Sequence, residues 1–187
     1  IGFDDPGFAN MGKKHQMPLR LQQAQEFFAK SAFKDSESII ENMIKIISRS
    51  SMVSMFEKPK FRDYVTLLPS DEKAHIAKQL KALLHGNQQK GFEGLVDALL
   101  PAKLAKWSLI SIIPFYFRPQ EEVFVKPTTT KNAIAHFELE NLTYKPTPSW
   151  DFYCAYKEQF LTMKQHVDEC LKPNNAAFSG FLMMSMK

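Results

Sequence analysis

Glycine is scarce in this chain, 7 of 187 residues, against an average usage of about 7%. Hairpin-dense all-β folds and Gly-rich phosphate cradles, which need positive φ repeatedly, are thereby disfavoured. Cysteine is equally sparse. Cys154 and Cys170 fall in what reads as one helix, roughly 24 Å apart at 1.5 Å per residue, too far to bridge. With no disulfide framework and no secretory signal pattern, a reducing cytoplasm is the expected setting. Arginine is rare too: of 24 cationic residues only Arg20, Arg49, Arg62 and Arg118 are arginine. A lysine-dominated excess lacks the planar fork that bidentate base or phosphate recognition uses. Nor is there a long apolar run. The most apolar stretch, residues 102–117, is interrupted by Pro114 and is shorter than the about 20 residues that a bilayer-spanning helix needs. No transmembrane segment is expected.

What the chain does have is an aromatic core supply: 16 Phe, 5 Tyr and 2 Trp, with 9 Met. Hydrophobic content of 44% and charged content of 24% are those of a globular protein, and the length fits one domain. Residues 1–16 hold three of the glycines and no sustained period, so they read as an irregular arm ahead of a single domain over 17–187. Helical spacing begins at Pro18 and reaches about Ala32. A second helix is capped by Asp35 or Ser36 and buries Ile39, Ile40, Met43, Ile44 and Ile47. Residues 57–60 read as a break. Ser70 caps the clearest helix, with Asp71 and Glu72 at its positive end and Gly86 closing it in the left-handed position.

Residues 91–100 predict a short helix stopped by Pro101, and 102–117 a buried helix followed by an extended aromatic run. Between 121 and 147 the period is ambiguous: EVFVKP suggests a short strand, TTTKNAIAHFEL a helix and NLTYKPTP a return segment. Trp150, Tyr153, Tyr156, Phe160, Met163, Val167 and Cys170 then repeat close to a heptad seam. A final apolar segment follows Pro173. The expected architecture is one mainly α-helical domain of about seven helices, with at most a small β element around 121–145.

Reactive constellations are incomplete. Tyr153-x-x-x-Lys157 has the spacing of a dehydrogenase dyad, but dinucleotide binding needs a G-x-G-x-x-G turn that this chain does not contain. Gly86 to Gly91 lacks the phosphate lysine of a P-loop and reads as a turn between helices. His166 and Cys170 share a helix face without further ligands, so no metal is expected, and no cofactor either. The acidic pairs, Glu121-Glu122 among them, read as solvated caps.

Two segments suggest binding. Lys78, Lys81 and His85 share one side of their helix, residues 73–90 contain no acid, and Lys58, Lys60 and Arg62 precede them. Nucleic acid on that basic face would be held mainly through phosphates. At Lys126, Thr128, Thr129 and Lys131, a Thr-capped helix start with two lysines suits a small anion, with Trp150 and Tyr153 as a stacking platform. A large core, a basic first half and no complete catalytic set favour a non-catalytic binding or regulatory protein. Its expected partner is another protein or a second copy; nucleic acid and a small anionic ligand are the alternatives.

Overall fold

A computed structural model describes residues 16–186. Nine α-helices are present among the described residues, two more than the sequence pattern suggests, and the chain is mainly α as expected. The predicted arm lies outside the described residues except for Gln16, whose side-chain oxygen accepts a hydrogen bond from Arg20 at 2.8 Å. α1 (Met17–Phe27) ends earlier than its periodicity suggests and is followed by a 3-10 turn, Lys30–Lys34.

Asp35 caps α2 (Ser36–Arg49) by accepting from the backbone N–H groups of Glu37 and Ser38. Ile39, Ile40, Met43, Ile46 and Ile47 form its buried stripe, with Ile44 at the margin. α3 (Glu57–Leu67) runs through the segment read as a break. Pro59 stands in its first turn, where a missing N–H costs nothing.

α4 (Ser70–His85) and α5 (Gln88–Leu99) form a tight αα-hairpin. Gly86 joins them with a negative φ of −148°, not in the left-handed region. Asn87 caps α5 through the Lys90 N–H at 2.9 Å. The decisive residue is Gly91: a Cβ there would lie 2.2 Å from the Leu83 backbone nitrogen. Only glycine lets the two helices approach this closely.

α6 (Trp107–Phe117) is the centre of the molecule, buried almost all round and packed on α1, α2, α4 and α5. The expected extended aromatic run is in fact its continuation past Pro114. An interior proline costs about 3 kcal/mol. Complete burial of Ile112, Ile113, Phe115 and Tyr116 on both sides of it offsets that loss, since each such side chain contributes roughly 1.5–3 kcal/mol.

No strand forms among the described residues. Val123, Phe124 and Val125 are extended and buried, but side chains replace a partner strand: Val125 N–H donates to Ser111 Oγ at 3.0 Å and Val123 N–H faces the Tyr153 hydroxyl at 3.4 Å. α7 (Pro127–His136) follows, then α8 (Trp150–Gln165), whose buried face is Phe152, Tyr153, Tyr156 and Phe160. α8 stops short of Cys170, which is exposed in a 3-10 turn, Glu169–Leu171; the two cysteines do not share a helix, and both are free. α9 (Asn175–Ser185), capped by Asn174, buries Phe178 and Leu182 and leaves Met183 in water. No helix among the described residues is long and apolar enough to cross a membrane.

Candidate binding surface

The close approach of α4 and α5 leaves the outer side of their hairpin concave. One cleft, about 420 Å³, is lined by His75 and Gln79 of α4 and by Lys90, Glu93, Gly94 and Asp97 of α5. A second, about 270 Å³, lies between α5 and the start of α8, walled by Phe92, Trp150 and Asp151. A third, about 180 Å³, opens towards Tyr64 of α3 and Glu72. The three adjoin one another: Asp97 lines all of them, Glu93 the first two, and His75 the first and third. One strip of concave surface therefore follows α5.

The strip is predominantly acidic. Glu72, Glu93, Asp97 and Asp151 line it, against Lys90 as its lysine. No ion pair engages any of these four carboxylates among the described residues. Gln89 donates to Glu93 at 3.0 Å. Tyr64, at one end, has its phenol pushed up by burial and then by the Glu72 charge.

Glu122 is a densely bonded polar group among the described residues, its carboxylate accepting from four side chains. The Glu122 side chain is 2% exposed. Its Oε1 accepts from Gln88 at 2.9 Å and Arg118 at 3.1 Å, and its Oε2 from the Tyr153 hydroxyl at 2.7 Å and Lys157 at 3.2 Å. Burial alone would raise this carboxyl. The Lys157 charge, the Tyr153 hydroxyl, Arg118 and Gln88 outweigh it and hold the group below its ordinary value. Asn175 donates to the Glu122 carbonyl at 2.9 Å, which ties α9 to the same point. Glu122 is thus not a solvated cap; four donors take it inside. Tyr153, 1% exposed, is pushed well above its ordinary value by burial, then by the Glu122 charge and hydrogen bond. The Tyr153 hydroxyl and the Lys157 ammonium are both engaged by Glu122 Oε2 inside the fold.

The residues expected to bind nucleic acid divide in two. Lys60, Lys78 and Lys81 are exposed, Lys58 is half-buried, and Arg62 pairs with Asp63 at 2.8 Å. His85 points inward: its ring packs edge-on between Phe33 and Phe117, and its Nε2 meets the Phe28 carbonyl at 2.8 Å. The threonine cap expected at the anion segment is absent. Lys126 is the cap residue of α7 and no side chain caps that helix; Thr128 is exposed and Thr129 half-buried. Lys131 lies over the Tyr144 ring at 5.6 Å, Tyr153 is core, and Trp150 walls the second cleft with Phe92. None of the three clefts contains Lys126, Thr128, Thr129 or Lys131. His166, past the end of α8, bonds the Thr162 carbonyl through Nδ1 at 2.9 Å and shares no face with Cys170.

Sequence reasoning passed over Gln79, Glu93 and Asp97, and it read Glu122 as a solvated cap. A signal existed for two of them, since Glu93 and Asp97 stand at i, i+4 beside Gly91-x-x-Gly94. No protein family, no curated protein and no solved structure matches this chain.

Proposed function

We propose that this chain is a non-catalytic binding module whose partner is another protein, engaged along the α5 strip. The observation that carries this reading is the adjacency of three clefts beside one helix, all sharing Asp97. A row of shallow clefts along a helix suits a polymer segment better than a compact metabolite. The strongest titratable cluster supports it in a different way: Glu122, Tyr153 and Lys157 satisfy one another inside the fold. A selection from random-sequence peptides, run in parallel on the protein and on its Glu93→Arg/Asp97→Arg variant, tests the strip. Sequences retained by the first and lost on the second support the reading. Equal recovery from both sinks it.

A second reading, nucleic-acid binding, is favoured by one observation near α3. Phe56 is 79% exposed and is followed by Lys58 and Lys60, which pair with no carboxylate among the described residues. An exposed ring beside free lysines is the arrangement on which single-stranded bases stack. Lys78 and Lys81 on α4 would extend the contact. Fluorescence anisotropy of short DNA and RNA at two salt concentrations decides: steep weakening with salt, and loss in Lys78→Glu/Lys81→Glu, is the expected result. No binding at low salt removes this class.

A further inference from the structure

The turn before α3 holds apolar side chains in water on an ordered support. Val53 goes into the core, 3% exposed, whereas Met55 and Phe56 are each 79% exposed. Ser54 fixes the change of direction: its Oγ accepts from the Phe56 N–H at 3.2 Å, and its carbonyl from the N–H groups of Glu57 at 3.1 Å and Lys58 at 3.3 Å. Around the pair the charge is basic. Between Arg49 and Arg62 the one acid is Glu57, and its Oε2 is engaged by the Ser108 hydroxyl at 2.5 Å. That bond also brings the start of α6 to the start of α3, with the exposed Lys106 just before it. Lys58, Lys60 and Lys106 pair with no carboxylate among the described residues.

We propose that this end of α3 docks on an anionic lipid surface, with Met55 and Phe56 entering the interface and Lys58, Lys60 and Lys106 meeting the negative head groups. An apolar tip flanked by lysines matches the two layers of such a surface, negative outside and apolar beneath. Charge complementarity selects the head groups, because the one carboxylate within the segment is already engaged by Ser108. Met55 selects lipid over nucleic acid. Single-stranded bases stack on Phe56 but find no ring face on a thioether, whereas a lipid layer takes both side chains. None of the three clefts includes Met55, Phe56, Lys58 or Lys60, so this surface goes beyond the α5 reading and does not depend on it.

The test is flotation of the whole chain with phosphatidylcholine vesicles made with and without phosphatidylserine. The anionic vesicles carry the protein with them and the neutral ones do not, and added salt weakens the binding. Met55→Ser/Phe56→Ser abolishes flotation. Leu67→Ser, which removes an 84% exposed side chain at the other end of α3, about 16 Å away, leaves it unchanged. Lys58→Gln/Lys60→Gln weakens binding by about fivefold for each lysine neutralised. Lys30→Gln/Lys34→Gln makes the same charge change ahead of α2, a helix length from the tip, and stays within about twofold. Equal weakening in the two lysine variants overturns the proposal, because net charge then explains the binding. Flotation that survives Met55→Ser/Phe56→Ser overturns it as well, as does equal flotation with neutral vesicles or none with either. Short single-stranded DNA that binds where vesicles do not gives the patch to nucleic acid and rejects the lipid surface.

Discussion

Replacing Glu122 by glutamine keeps the shape of the side chain and inverts half of its hydrogen bonding. Four donors converge on the carboxylate: Gln88 and Arg118 on one oxygen, Tyr153 and Lys157 on the other. An amide offers one acceptor oxygen and one N–H₂ group, so two of those donors are left facing a donor. Arg118 and Lys157 are only 23% and 19% exposed, so water compensates partly. Breaking a buried ion pair by removing one partner costs about 3–5 kcal/mol, and partial solvation places this case near the lower limit, about 3 kcal/mol. For a chain of this size that is a fall in Tm of roughly 6–12 °C.

Lys157→Met provides the comparison. It leaves Glu122 with three donors and costs about 1–2 kcal/mol. Urea unfolding at neutral pH, with Tm from calorimetry, measures both. The acid limb is a second readout. Because the folded-state pKa of Glu122 is depressed, its contribution is fully present above the unfolded carboxyl value of about 4.3 and is lost as pH falls through the folded value. The gap between wild type and Glu122→Gln therefore narrows on acidification below about pH 4. A Glu122→Gln protein within about 0.5 kcal/mol of wild type, or a Lys157→Met protein that is the less stable of the two, refutes this account of the cluster.

Gly91→Ala puts a methyl group against the Leu83 backbone and should cost about 2 kcal/mol or more, whereas Gly94→Ala moves only the end of Gln79 and should cost about 1 kcal/mol or less; reversed order in thermal unfolding contradicts the packing described. Ser50→Ala strips the fully buried Tyr116 hydroxyl of its 2.8 Å partner and the Met52 N–H of its acceptor and should cost about 1–2 kcal/mol, while the same change made on a Tyr116→Phe background should cost less, the Met52 N–H alone then losing its partner. Burial raises the phenols of Tyr116, Tyr153 and Tyr156. Stability thus holds up to the unfolded phenol value of about 10 and is lost as pH rises towards the folded values. Tyrosinate absorbance should rise with the loss of circular dichroism. More than two tyrosinates among the five phenols near pH 10 with helicity intact would contradict the burial of this group.

Much of the fold is legible locally. The isoleucine stripe of α2 repeats at helical spacing behind Asp35, and Asp35 is its cap. Asn174 caps its helix in the same way, whereas Asn87 opens α5 three residues before the start at Gly91 that the sequence suggests. Local rules failed where burial overrode them. Pro59 reads as a break because proline is expected to interrupt, but in a first turn it interrupts nothing. Pro114 reads as an end, yet its apolar neighbours have nowhere to go but the core, and α6 continues through it. EVFVKP has strand composition and no strand to pair with, so Ser111 and Tyr153 side chains take the N–H groups instead.

What the sequence by itself determined is the class of structure: helices from apolar periodicity, their starts from short oxygen side chains, and a core from an excess of Phe and Ile. These are properties of residues within one or two turns of each other, where the spacing can be counted. The meeting of polar groups belongs to the tertiary structure alone. Glu122 reaches Lys157 across 35 positions and Asn175 across 53, and no local period records such a distance. The same holds for the strip on α5. Gln79 and Asp97 draw no notice where they stand in the chain, and Trp150 reads as a partner of Lys126 and Lys131; the close approach that Gly91 allows brings Gln79 and Asp97 to one cleft, and Trp150 lines the next.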